Sequence, residues 1–231
     1  MTETNHKNVV AAKERLFKKA FMAFVAALGW FGLVLQFYLM LTNQKTDVGL
    51  WMRFFNFFSY FTILTNILVA LCLTLALLNF RYGIGKLSKS IAIQSSLTVY
   101  ILVVGVVYYL LLRNIWKPEG WQFVADAVLH YAIPVLYFLY WLIFIPKGKL
   151  KFSFVLSWMI YPVVYFIYSI IRGAFTAWYP YPFIDVQKFG YNKVFLNAGT
   201  LLVVFVIAVI LFIGIDKLLG RSAATSESLP V

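Results

Sequence analysis

Six apolar stretches, separated by short polar or turn-forming segments, take up most of this chain. They run Phe17–Leu41, Phe54–Phe80, Ile91–Leu112, Gln122–Ile145, Phe152–Ile171 and Val194–Leu218. Each matches or exceeds the ~20 residues a helix needs to cross a bilayer. The predicted fold is therefore all-α, a polytopic membrane protein built as a six-transmembrane-helix bundle. A polar tail over residues 1–16 and another over 219–231 flank it, and the stretches up to about Arg15 and over Ser222–Val231 are read as lacking order. Most connections are short, as between antiparallel neighbours. The exception is Arg172–Lys193, which carries Trp178-Tyr179-Pro180-Tyr181-Pro182-Phe183. Aromatics and prolines there suit either an interfacial anchor or a lid over a cavity. No internal repeat and no soluble domain is evident.

Composition agrees with this pattern, with 63% hydrophobic and only 12% charged residues. A net charge of +12 raises the question of nucleic acid, but no nucleic-acid-binding motif is present and the basic residues alternate with the spans. The first, third and fifth connecting faces differ from the others. Thirteen lysines and arginines, among them Lys13, Arg15, Lys18, Lys86, Lys147, Lys149, Lys151 and Lys217, fall on the side that holds both termini. Seven, including Lys45, Arg53, Arg113 and Arg172, fall on the other. By the positive-inside rule both termini are cytoplasmic, and the expected partner of the basic face is anionic lipid headgroups. The first run exceeds the about 7–15 residues of a signal-peptide core and lacks a small-x-small site, so it is expected to stay as a helix.

Little else in the chain suggests a cofactor. Cys72 is the single cysteine, within a span, and fits an inert apolar role. Of two histidines, His6 lies in the charged N-terminal tail, so no ligand set has zinc-like spacing and no metal is expected. Gly83-Ile84-Gly85-Lys86 lacks the length and flanking strand of a phosphate loop and reads as a tight turn.

Asp126 and His130 stand out against this background, one helical turn apart inside the fourth span. A carboxylate in hydrocarbon costs at least ~2.5 kcal/mol on insertion scales, which makes it a functional candidate. A spacing of four puts both side chains on one face, where the carboxylate can hold an imidazole N–H. In the second span, Ser59, Thr62, Thr65 and Asn66 fall within a ~120° arc at 100° per residue. Such a stripe serves either chemistry or ordinary helix–helix hydrogen bonding. With continuous helices entering from the outside, Thr62 lies eight residues below Phe54 and His130 eight below Gln122. Both are then ~12 Å beneath the outer surface at the helical rise. A second stripe, Ser157, Tyr161, Tyr165, Tyr168 and Arg172, recurs at three- and four-residue intervals in the fifth span. Arg172 suits a substrate carboxylate or phosphate. Gln36, Asn197 and Thr200 add further polar groups to the outer half.

Three segments also carry a family resemblance: Tyr60-Phe61-Thr62-Ile63-Leu64-Thr65-Asn66, His130-Tyr131-Ala132-Ile133-Pro134 and Tyr179-Pro180-Tyr181-Pro182-Phe183-Ile184-Asp185. Over nearly the whole apolar chain the sequence resembles the bacterial Pr-six-Pr family of six-span membrane proteins. More distantly it is similar to the androgen-induced and androgen-dependent TFPI-regulating proteins, threonine hydrolases that cleave fatty acid esters of hydroxy fatty acids. The resemblance implies a bacterial inner-membrane protein with fatty-acyl esters as substrates, Thr62 as nucleophile and His130 as base. Asp126 stands where the eukaryotic pattern has asparagine, and Ala127 replaces a further histidine of that pattern. In such a reaction His130 takes the threonine proton while Asp126 fixes its tautomer. Ser59, Asn66 or a tyrosine of the fifth span supplies donors to the ester oxygen. Two other readings stay open on the same residues. One is a small transporter or sensor using Asp126 and His130 as a proton relay, with Pro134 and Pro162 as kinks. The other is a structural membrane protein whose Asp–His pair locks the helices.

Overall fold

The computed structural model describes residues 2–42, 48–80 and 82–227; Lys45 and Arg81, part of the charge count above, lie outside them. The described residues are helical or in turns and loops, with no strand. In chain order the helices are α1 (Thr2–Thr42), α2 (Leu50–Phe57), α3 (Phe61–Leu77), the single turn α4 (Ile84–Leu87), α5 (Ile91–Val107), α6 (Gly120–Ala127), α7 (Ile133–Phe144), α8 (Phe154–Thr176) and α9 (Val186–Glu227). Two π-helical turns, Tyr108–Leu112 and Val128–Ala132, extend α5 and join α6 to α7, and a 3₁₀ turn covers Pro182–Ile184. Five of these segments are long and apolar enough to cross a membrane, six if the bent pair α2–α3 counts as one span.

Several boundaries differ from the expected ones, each for a local reason. α1 begins at Thr2 rather than Phe17, because Ala11-Ala12-Lys13-Glu14-Arg15 are strong helix formers that charge does not interrupt. α9 likewise runs on past Leu218 and starts early, at Val186, with a break at Gly190 (φ 70°). Its first turn is capped by Asp185 Oδ1, which accepts the N–H groups of Gln187 (3.0 Å) and Lys188 (3.2 Å). α8 continues to Thr176 and passes through Pro162. The largest departure is in the second span. It is not one helix from Phe54 to Phe80 but two, bent by 65° at Phe58–Tyr60. The N–H of Ser59 bonds Asn56 O at 3.0 Å, three residues back, while its hydroxyl donates to Phe55 O at 2.6 Å. The side chain thus takes a carbonyl that the next turn of helix would have used. Ser59 therefore sits in the break and not on a helical stripe, and counting helical rise from Phe54 no longer gives the depth of Thr62.

The chain folds as two compact units. The first comprises residues 1–36 and 65–145. Its core is built by Val25, Val69, Leu73, Ile101, Leu129, Ile133, Tyr137 and Trp141. Polar groups inside it are matched in pairs: Trp30 Nε1 donates to Thr74 Oγ1 (3.1 Å), Trp141 Nε1 to Ser95 Oγ (2.9 Å) and Tyr140 Oη to Gln94 Oε1 (3.0 Å). Gln122, at the start of the fourth span, donates to Gln36 at 2.6 Å. Cys72 is buried, and its Sγ lies 3.4 Å from Ser88 O.

The second unit comprises residues 37–64 and 146–231. Phe61 packs on Tyr161, Tyr165 and Phe205 (centroids 4.9, 5.0 and 5.8 Å) above a core of Val194, Val209, Phe212 and Ile213. Asp216, fully buried in α9, holds the connection into α8. Its Oδ2 accepts the Leu150 N–H (2.9 Å) and its main-chain carbonyl that of Gly148 (3.0 Å). Asp216→Ala leaves the Leu150 amide unmet, so it lowers stability by about 1–3 kcal/mol. The melting temperature of detergent-purified protein checks this, and no change would remove Asp216 as the anchor. In both units large apolar side chains such as Phe31, Leu110, Ile143, Leu156, Val203 and Leu211 remain exposed along the helices. Water does not favour that arrangement; hydrocarbon does.

Candidate active site

Two groups of polar side chains stand out, one in each unit. In the first, the π-helical turn Val128–Ala132 precedes Pro134. Pro134 has no N–H to offer the carbonyl four residues back, and that carbonyl belongs to His130. α5 approaches closely here: a Cβ added to Gly105 would lie 3.2 Å from His130 O and 3.3 Å from Pro134 Cβ. The glycine thus permits the packing that sets the height of His130. π-Helical turns of this kind occur often at functional sites.

Asp126 is 5% exposed, and His130 15%. The His130 Nδ1 lies 3.2 Å from Asp126 Oδ1 and 3.1 Å from the main-chain carbonyl of the same residue. Both neighbours are acceptors, so Nδ1 carries a proton, and in the neutral ring the lone pair is left on Nε2. Tyr108, in the other π-helical turn, completes the group. Its hydroxyl donates to Asp126 Oδ2, while its ring stacks on the imidazole with centroids 3.9 Å apart and planes 21° apart. One tyrosine thereby fills the second carboxylate oxygen and covers one face of the histidine. The hydrogen bonding of sequence-close residues predicts the Asp–His contact. Nothing in the sequence singles out Tyr108 among fifteen tyrosines.

In the second unit the break between α2 and α3 gathers the fifth-span residues. Since the Ser59 hydroxyl donates to Phe55 O, the Tyr168 hydroxyl is the donor in its 2.8 Å contact with Ser59 Oγ. Tyr165 Oη donates to Ser59 O at 2.9 Å. Arg172 Nη2 donates to Asn56 Oδ1 at 2.6 Å, its guanidinium lies 4.7 Å from the Trp178 ring, and its buried Nη1 has no hydrogen-bond partner among the described residues. Ser157, expected on the same stripe, is exposed and bonds Phe154 O of its own helix. Thr62 occupies the second position of α3, where main-chain N–H groups have no partner inside the helix. It is 7% exposed. Its N–H donates to Tyr181 Oη at 3.2 Å, and its Oγ1 lies 3.3 Å from the same oxygen. Burial pushes the Tyr181 phenol up to about 12, against the opposing pull of the Thr62 bonds, so it keeps its proton throughout the neutral range.

Not every expected contributor sits in these groups. Asn66 and Thr65 belong to the first unit, and Asn66 Nδ2 donates to Leu129 O at 3.2 Å, tying α3 to the π-helical turn that carries His130. Asn197 Nδ2 donates to Phe183 O at 2.8 Å, and the exposed Thr200 bonds its own helix. Among the described residues no group of three or more His, Cys, Asp or Glu side chains could hold a metal ion. No protein-family model, no curated protein and no solved structure matches this chain.

Proposed function

We propose that this chain is an intramembrane hydrolase of fatty-acyl esters, working through an acyl-threonine at Thr62 with His130 as base. The observation that carries the reading is the Asp126–His130 contact: a buried carboxylate on Nδ1 is the arrangement that orients an imidazole to take a proton at Nε2. The family resemblance and the five or six long apolar helices support it, and the proposal includes a bacterial inner-membrane location with cytoplasmic termini.

His130 Nε2 removes the Thr62 proton as Oγ1 attacks the ester carbonyl. Negative charge moves to the carbonyl oxygen, where the Thr62 N–H at the start of α3 is a fixed donor. The tetrahedral centre then expels the alcohol, which leaves with the proton held by His130. Water, deprotonated by the same ring, attacks the acyl-threonine and releases the fatty acid with Thr62 restored. Ser59, Tyr165 and Tyr168 shape the wall beside Thr62, Asn66 holds the turn of His130, and Arg172 receives an acidic group on the substrate. No cofactor takes part.

The test is release of fatty acid from a p-nitrophenyl acyl ester by purified protein in lipid nanodiscs. Turnover that disappears in Thr62→Ala is expected; equal turnover in that variant contradicts the proposal. A second reading draws on the broken α2–α3 span and the Tyr108–Asp126–His130 chain, since proton-coupled transporters use both features. It predicts proton-coupled solute uptake that survives Thr62→Ala and stops in Asp126→Asn.

A further inference from the structure

The segment between α8 and α9 does more than connect two helices. Tyr181, 9% exposed, reaches Thr62 with its hydroxyl and touches the N–H and the Oγ1 of that residue. On the reading of Thr62 as nucleophile, these are the two groups an ester must meet, one to hold its oxygen and one to attack its carbon. The phenol oxygen stands where the substrate oxygen has to be.

The seat around that hydroxyl is aromatic. The Tyr181 ring meets Tyr60 edge-on (5.7 Å) and stacks on Phe183 (5.2 Å), while Trp178 also meets Tyr60 edge-on (5.6 Å). Both ends are fastened by side chains: Arg172 lies over Trp178, and Asn197 holds the Phe183 carbonyl. Pro180 and Pro182 supply no N–H, and among the described residues no main-chain hydrogen bond joins 178–180 to a neighbouring element. Residues 178–180, held by side chains alone, can lift without unravelling a helix.

A hinge is present at the right place. Ala177, which ends α8, has φ 54° and ψ 21°, a left-handed conformation that a Cβ disfavours. The seated form therefore holds backbone strain at this joint. Close by, the Tyr179 ring rests on Gly173, where any added Cβ would collide with it.

We infer that residues 178–184 form a lid, with Tyr181 as its latch on Thr62, and that an ester reaches the nucleophile only after Tyr181 leaves. This rests on the proposed role of Thr62, so its test reads access to that position without catalysis. In a Cys72→Ala background, Thr62→Cys is placed as a reporter, and its alkylation by N-ethylmaleimide is timed in nanodiscs. Adding Tyr181→Ala removes the latch; adding Gly173→Ala instead pushes Tyr179 off its seat without touching Thr62. Each is expected to speed alkylation about tenfold or more by populating the open form. Melting temperature and elution profile show that each variant is folded. Alkylation in both variants at the rate of the parent overturns the lid. Faster alkylation, with no ester turnover by the protein that keeps Thr62, upholds the lid and removes the hydrolase.

Discussion

His130→Ala is expected to abolish the proposed ester turnover, with a loss of at least about 10³-fold in kcat. A threonine hydroxyl is a poor nucleophile until a neighbouring base takes its proton, and the chain offers no second imidazole in the spans, since His6 is the only other histidine. The loss falls on kcat and leaves KM nearly unchanged, because the ring acts in the transition state and not in binding. Folding should survive the change, since the carboxylate of Asp126 keeps its bond from Tyr108. A variant that retains turnover within a few-fold of the parent would assign the base elsewhere.

The second large effect separates orientation from charge at Asp126. Asp126→Ala removes the acceptor of both Tyr108 and His130 and leaves a buried hydroxyl unmatched. A loss of about 10²–10⁴-fold in kcat is expected, together with about 1–3 kcal/mol of stability. Asp126→Asn costs less. The amide oxygen can still accept from Nδ1, the Tyr108 oxygen can accept from the amide nitrogen, and the main-chain carbonyl of residue 126 continues to hold Nδ1 at 3.1 Å. Tyr108→Phe keeps the stacked ring and loses only the hydroxyl, so it lowers kcat about tenfold with KM unchanged. Steady-state kinetics of the three variants, with melting temperatures, decide the matter. Equal losses in Asp126→Asn and Asp126→Ala would give the carboxylate charge a direct chemical part and remove the positioning argument.

The sequence conveyed the helical elements well, because an apolar run of bilayer length has few alternatives to a helix. Their ends were less legible. Charge and polarity marked residues 1–16 as a tail, yet alanine, lysine and glutamate propagate a helix as readily as leucine does, and α1 starts at Thr2. The break at Phe58–Tyr60 had no glycine or proline to announce it. It comes from a serine hydroxyl taking a carbonyl four residues back, a choice that sequence leaves open. That one event moves Ser59 off the expected stripe and puts Thr62 at the head of a helix, where its main-chain N–H donates to Tyr181 Oη outside the helix, a contact that periodicity alone would not supply.

In the candidate site, the pairing of Asp126 with His130 was readable because it is local, four residues along one face. Tyr108 was not, because it comes from another span and belongs to no polar stripe. Tyr165, Tyr168 and Arg172 were readable as a face, but their partners Ser59 and Asn56 depend on the bend. Tyr181 was visible only as part of an aromatic, proline-rich loop. Its contact with Thr62 is long-range, and a loop that closes by side chains leaves no periodic signal.

The most direct measurement is to label the nanodisc-embedded protein with an alkyl fluorophosphonate and locate the adduct by peptide mass spectrometry. An adduct on Thr62 Oγ1, absent from His130→Ala, is the predicted result. An adduct on another hydroxyl, or labelling unchanged in both Thr62→Ala and His130→Ala, would contradict the threonine–histidine hydrolase.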